Sequence, residues 1–138
     1  MLDFTTQGGR RIKRRLREEQ IVWLTTVDGH ATPQPRPVWF HWDGETLLIF
    51  SQPHTAKIRH IQRQPRVALN FNTDLQGNDV GVLIGEAVIL AESIAPNRTQ
   101  AYLRKYRQGI KDIGMTVASF QPEYSVAILV TPVALRGM

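Results

Sequence analysis

With 138 residues, 42% apolar side chains and 21% charged ones, the chain has an ordinary globular composition, long enough to bury about two-thirds of its unfolded surface. No apolar run approaches the ~20 residues of a membrane helix, and the stretch from Met1 through Arg17 lacks a signal-peptide pattern. The absence of cysteine excludes disulfides, thiolate nucleophiles, iron–sulfur clusters and cysteine-ligated zinc, so one domain over residues 1–138 in a reducing cytoplasm is expected, with a net charge of +5 favouring an anionic partner.

Arg11 to Gln20 predicts a short amphipathic helix, with Ile12 and Leu16 on one face and basic residues covering the rest. The β-branched and aromatic run Ile21 to Val27 predicts a strand that stops at the hairpin signal Asp28-Gly29. A second strand, Ala31 to Trp42, ends at Asp43-Gly44, and a third, Thr46 to Ser51, follows at once. Pro33, Pro35 and Pro37 recur every second residue, so their missing N–H groups fall along one edge. The N–H groups of Gln34, Arg36 and Val38 face the other way and can pair with a neighbour, as at a barrel rim.

Thr55 to Gln64 predicts a second helix, with Ile58 and Ile61 inward, Thr55 as N-cap and Pro65 as its stop. Val67 to Phe71 is a fourth strand, Asn72 to Asp79 a loop, and Val80 to Leu90 a fifth strand bent or closely approached at Gly81 and Gly85. Pro96 to Arg107 predicts a surface helix, Gln108 to Gln121 is ambiguous, and Tyr124 to Leu135 returns to strand. Six antiparallel strands and three helices imply a mainly β, closed or partly closed barrel.

Thr55-Ala56-Lys57 places a lysine in the first turn of a helix, where free N–H groups already create positive potential. Either Lys57 points to solvent, or an anion at the helix start draws the amides, the Thr55 hydroxyl and the Lys57 ammonium onto one phosphate.

In order along the chain, Leu24-Thr25-Thr26-Val27-Asp28-Gly29, Pro33 through Phe40, Asp43-Gly44, Thr55 through Ile61 and Gln64-Pro65-Arg66-Val67-Ala68-Leu69 resemble the pyridoxamine-phosphate-oxidase-like split barrels. The likeness extends through Gly85-Glu86-Ala87 and Leu129-Val130-Thr131-Pro132, and is strongest to the flavin- and deazaflavin-dependent oxidoreductases of that family. The resemblance implies a six-stranded FMN-binding split barrel with flanking helices. It further implies a homodimer that holds FMN or the deazaflavin coenzyme F-420 in a groove between subunits and passes a hydride to a small organic substrate. Carried onto this chain, Thr55, Ala56 and Lys57 would sit at the phosphate, with Arg59 beside them. Gln34, Pro35, Arg36, Pro37, Val38 and Trp39 would run along the ring, and Phe50, Ser51 and Gln52 along the ribityl chain. No catalytic side chain is implied, because the cofactor carries the chemistry.

Two departures qualify the resemblance. Ala56 stands where the family often has arginine, which removes one phosphate ligand and points towards F-420. Thr131-Pro132-Val133-Ala134-Leu135-Arg136 lacks the arginine and histidine pair that grips pyridoxal phosphate in the true oxidases, which disfavours pyridoxamine-phosphate oxidation. The basic N-terminal helix is either a solvated face or an aid in holding the acidic tail of F-420.

Rival readings have weaker signals. His30, His41, His54 and His60 lack metal-ligand spacing, and Ser51 and His54 lack the context of a hydrolase triad. Trp23, Trp39 and Trp42 with Arg11, Arg14 and Arg15 would suit a small nucleic-acid-binding barrel, and a non-catalytic flavin, deazaflavin or haem carrier also remains open.

Overall fold

A computed structural model describes residues 2–90 and 94–137. Its elements run α1 (Gln7–Glu18), β1 (Val22–Val27), β2 (Pro33–Val38), β3 (His41–Trp42), β4 (Leu47–Ser51), α2 (Ala56–Arg63), β5 (Arg66–Asn70), β6 (Gly81–Ile89), α3 (Pro96–Lys105), α4 (Arg107–Asp112), α5 (Val117–Glu123) and β7 (Val126–Gly137). The seven strands form one antiparallel sheet in the order β2-β1-β5-β6-β7-β4-β3. The fold is mainly β, as expected, with seven strands in place of six.

The extra strand arises because the run Ala31–Trp42 breaks at Trp39-Phe40. Its first half pairs with β1, matching Val22 to Val38 and Val27 to Pro33, and its second half pairs His41 with Leu48 on β4. These two partners lie towards opposite ends of the sheet. In a flat sheet the outer strands would stand about 29 Å apart at the usual strand spacing, whereas the link from Val38 to His41 reaches at most about 11 Å. The sheet must therefore roll up, and the chain itself stitches its two ends together. The proline-rich β2 is an edge strand, as its alternating missing donors predict.

One face of the rolled sheet buries Val22, Leu24, Leu47, Ile49, Val67, Leu69, Leu83, Ile128 and Val130, with Ile12 and Leu16 of α1 and Ile58 and Ile61 of α2 packed on them. A second, smaller cluster forms on the other side, where Leu48 and Ala127 meet Tyr102, Leu103, Tyr106, Ile110 and Phe120 of the α3–α5 region. This explains why β4 reads as a continuous apolar run: it is covered on both faces. A register shift between Ile84 and Gly85 in the β6–β7 pairing marks the irregularity expected there.

Two local expectations are corrected, at α1 and after α3. Helix α1 starts at Gln7 instead of Arg11, because the Thr6 hydroxyl accepts the Gly9 N–H at 2.9 Å and caps it there. The Asp28-Gly29 hairpin forms as expected, with Ala31 left-handed at φ 62° and the Asp28 carboxylate accepting the N–H groups of His30 and Thr32. The ambiguous stretch Gln108–Gln121 becomes α4 and most of α5, so five helices replace three; α5 is fixed by a reciprocal cap between Thr116 and Ser119.

The basic face of α1 is also partly resolved into structure. Arg15 is buried, pairs with Glu19 at 3.1 Å and with Asp79 at 3.5 Å, and donates to the Asn72 carbonyl. Arg11 and Arg14 lie 3.9 Å from Asp79 and Glu18.

Candidate functional site

A cavity of about 360 Å³ opens between the β2–β4 region, the start of α2 and the α3–α5 side of the sheet. Its polar lining comes from one stretch of chain, Ser51, Gln52, Thr55 and Lys57. These residues sit where β4 ends and α2 begins. The Ser51 hydroxyl donates to the Gln52 carbonyl at 2.9 Å and lies 3.1 Å from the Thr55 hydroxyl. Gln52 donates to the Glu123 carboxylate at 2.8 Å, tying this turn to α5. Within the turn His54 takes a left-handed φ of 65°, a conformation that costs a non-glycine residue free energy and recurs at ligand sites.

Thr55 occupies the N-cap position of α2 as expected, but its hydroxyl does not cap the helix. It turns to Ser51; the Ile58 N–H donates to the Thr55 carbonyl at 3.2 Å, and the Ala56 and Lys57 amides are left without a side-chain cap. Lys57 follows in that first turn. Its side chain is half-buried, and among the described residues it makes no ion pair and donates no hydrogen bond. Burial pulls its pKa below the ordinary lysine value, and the nearby Arg36 guanidinium pulls it in the same direction. A half-buried cation in the cavity wall, beside helix-start amides without a side-chain cap, favours a bound anion.

The remaining lining is apolar or aromatic. Pro37, Val38 and Trp39 come from β2 and the seam after it, Phe50 from β4, and Ile21, Tyr102, Ile113, Phe120 and Tyr124 from elsewhere. Trp39 stacks on Tyr106 and, less closely, on Phe120, whose centroid is 5.8 Å away. Gly109 on α4 makes this approach possible, since a Cβ there would sit 3.2 Å from two carbons of the indole. The buried hydroxyls of Tyr102 and Tyr106 have their pKa values pushed up by desolvation, so both remain neutral donors.

Of the residues predicted from sequence, Pro37, Val38, Trp39, Phe50, Ser51, Gln52, Thr55 and Lys57 line this one cavity. Arg36 is exposed outside the lining; its guanidinium donates to the Pro35 carbonyl at 2.8 Å, and its charge helps lower the Lys57 pKa. Gln34 is turned away and donates to the Asp28 carboxylate at 3.1 Å, and Pro35 is exposed on the sheet edge. Ala56 and Arg59 are exposed outside the lining; Arg59 donates to the His54 carbonyl at 3.1 Å. Sequence reasoning missed Ile21, Tyr102, Ile113, Phe120 and Tyr124. The aromatic members carried a usable signal, since Phe120 and Tyr124 stand four apart as on one helix face.

None of the four histidines lines the cavity. His60 meets the Thr26 hydroxyl at 2.8 Å, and burial holds His41 towards its neutral form beside Arg98.

A sequence model of pyridoxamine 5'-phosphate oxidase matches residues 9–131. No curated protein matches the chain by sequence. Among solved structures, the fold is similar to a Listeria innocua protein provisionally named a pyridoxamine 5'-phosphate oxidase, at 22% identity and a TM-score of 0.72 over 94% of this chain and 96% of that one. It is similar to an F-420 reductase at 25% identity and a TM-score of 0.64, covering 90% of this chain and 94% of that chain. It is also similar to the haem storage protein HutZ of Vibrio cholerae, at 16% identity and a TM-score of 0.66 over 93% and 92%.

Proposed function

Because the chain belongs to the pyridoxamine 5'-phosphate oxidase family, we propose that it is a flavin-type oxidoreductase, specifically a deazaflavin (F-420)-dependent reductase, with FMN as the alternative cofactor. When bound, such a ring supplies a hydride, which a small organic acceptor takes up together with a proton from water while the ring is left oxidised. The chain's own task is to hold the ring, orient it and exclude water.

The observation that carries this reading is Lys57, a half-buried cation at a helix start that lines the cavity and, among the described residues, has no acid to pair with. A phosphate fits there: Lys57 would neutralise it, and the Ala56 and Lys57 amides and the Thr55 hydroxyl, once turned from Ser51, would donate to it. Ser51 and Gln52 would then meet the polyol chain, and Pro37, Val38 and Trp39 the ring.

A homodimer is part of the same proposal. Edge strand β2 leaves Pro33, Pro35, Arg36 and Pro37 exposed, and its outer edge has no paired strand. A second copy covering that edge would close the ring-binding side of the cavity.

The test is titration of the purified protein with F-420 and with FMN, followed by mixing the reduced complex with organic acceptors. Binding of one cofactor at micromolar or better affinity, with oxidation of its reduced form by an acceptor, is expected. Failure of both to bind contradicts the proposal.

A further inference from the structure

A second cavity, of about 350 Å³, lies beside the first and shares a wall with it. Phe50, Phe120 and Tyr124 line both spaces. Their rings pack on one another and on the protein: Phe120 stacks on Tyr124 with centroids 4.5 Å apart, and Phe50 meets Tyr102 edge to face at 4.7 Å. At the end of α5 the Glu123 carboxylate accepts from Gln52, which ties this wall to the turn after β4. The wall is thus a packed partition, and the spaces on its two sides are distinct.

The rest of the second cavity divides into an apolar floor and a polar rim. Leu103 of α3 and Ala127 of β7 are buried in the floor, with Leu90 and Ile94 half-buried beside them. The Leu90 N–H donates to the Ala127 carbonyl at 3.0 Å, which fixes that floor between the end of β6 and the start of β7. Thr99, Gln121 and Ser125 supply the polar part. Thr99 is half-buried one helical turn from Leu103, and Gln121 and Ser125 are exposed, so the polar groups stand towards the opening. Among the described residues none of these three side chains hydrogen-bonds to protein, whereas Ser51, Gln52 and Thr55 of the first cavity are all bonded to neighbours.

These properties select a ligand. No charged side chain lines the space, so an ion entering it would lose water and gain no counter-charge. An apolar floor with a few polar groups at one rim is the pattern of a small-molecule pocket, and this one is at the lower end of the roughly 300–1,000 Å³ such pockets span, room for one or two rings. The two hydroxyls and the Gln121 amide can each donate and accept, which suits a hydroxyl or a carbonyl on the ligand.

We propose that this cavity is a second ligand site, which takes a small neutral amphiphile of one or two rings bearing a hydroxyl or carbonyl group. The ring rests on Leu90, Leu103 and Ala127, and the polar group meets Thr99, Gln121 and Ser125. The site fills independently of the cavity beside Lys57, whatever that cavity holds.

The probe is 2-naphthol, with the anionic 2-naphthoate as its charged counterpart, titrated by calorimetry at neutral pH into the protein alone and into the protein with saturating FMN. One equivalent of 2-naphthol is expected to bind in both cases with affinities within about threefold of each other. The naphthoate should bind at least about tenfold more weakly. Thr99→Phe, which fills the space, should cut 2-naphthol affinity at least about tenfold. Thr99→Val and Ser125→Ala, which remove one hydroxyl each and keep the test open if Thr99→Phe does not fold, should cut it about three- to tenfold. Lys57→Ala should leave it unchanged. Thr99 and Ser125 line only the second of the two cavities, so their effects locate the probe even where FMN does not bind. No binding of 2-naphthol to wild type, its displacement by FMN, equal binding of the naphthoate, or an affinity indifferent to both Thr99 variants would overturn the proposal.

Discussion

Trp39 and Tyr106 lie face to face, with ring centroids 4.6 Å apart and planes within 1° of parallel. The stack sits where the chain passes from β2 to β3 and joins the two ends of the rolled sheet. Tyr106 holds that crossing by hydrogen bonds as well. Its hydroxyl accepts the Phe40 N–H at 2.8 Å and donates to the Gln20 carbonyl at 2.7 Å, with the Phe40 carbonyl 2.9 Å away. One residue of α3's end thus closes the barrel and presents Trp39 to the cavity.

Tyr106→Phe keeps the ring stack and removes the hydroxyl, leaving a buried Phe40 N–H without its partner. A loss of about 1–3 kcal/mol is expected, read by urea unfolding with an unchanged slope. A change under about 0.5 kcal/mol would show that water replaces the hydroxyl.

Lys105 donates to the same Phe40 carbonyl at 2.8 Å and lies 3.7 Å from the Phe40 ring centroid. Burial pulls its pKa down to about 8 from the ordinary 10.5, against the weaker pull of Glu19. Because the folded pKa is the lower one, the unfolded chain binds more protons between those values, and stability contributed through Lys105 rises with pH across that window. Above about pH 10 the buried Tyr102 and Tyr106 hydroxyls work in the opposite direction. From about pH 7.5 to 9.5, wild type should therefore gain thermal stability relative to Lys105→Met. A flat or falling difference would contradict the assignment.

Arg15 and Arg14 are neighbours with opposite fates. Arg15→Met removes a buried guanidinium bonded to Asp79, Asn72 and Glu19, and should cost about 2–3 kcal/mol. Arg14→Ala breaks an exposed pair at 3.9 Å and should stay within about 0.5 kcal/mol. Chemical denaturation of the two variants checks both; equal effects would mean the buried network is not formed.

The strands were readable where side-chain type and alternation agree, as in Val22–Val27 and Arg66–Asn70, and the turns where aspartate precedes glycine. The break at Trp39-Phe40 was not, because nothing local distinguishes a strand that bends from one that changes partner; only the closure of the sheet requires it. The start of α1 at Thr6 is not legible locally, because Gly8 and Gly9 are weak helix formers; the Thr6 hydroxyl outweighs them. In the site, Lys57 and the residues from Phe50 to Thr55 were legible as one segment. Ile113, Phe120 and Tyr124 were not, since α4 and α5 are too short to show a period and are defined by packing on the outer face of β4. Arg36 was expected along the ring; it is exposed on edge strand β2, and its charge is felt at Lys57.

Whether Lys57 meets a phosphate is measured most directly by comparing FMN with riboflavin, the same ring without the phosphate, on wild type and Lys57→Ala. Removing one charge-assisted contact should weaken FMN binding by about 10- to 100-fold and leave riboflavin binding nearly unchanged. FMN affinity equal in wild type and Lys57→Ala, or a loss shared by riboflavin, would contradict it.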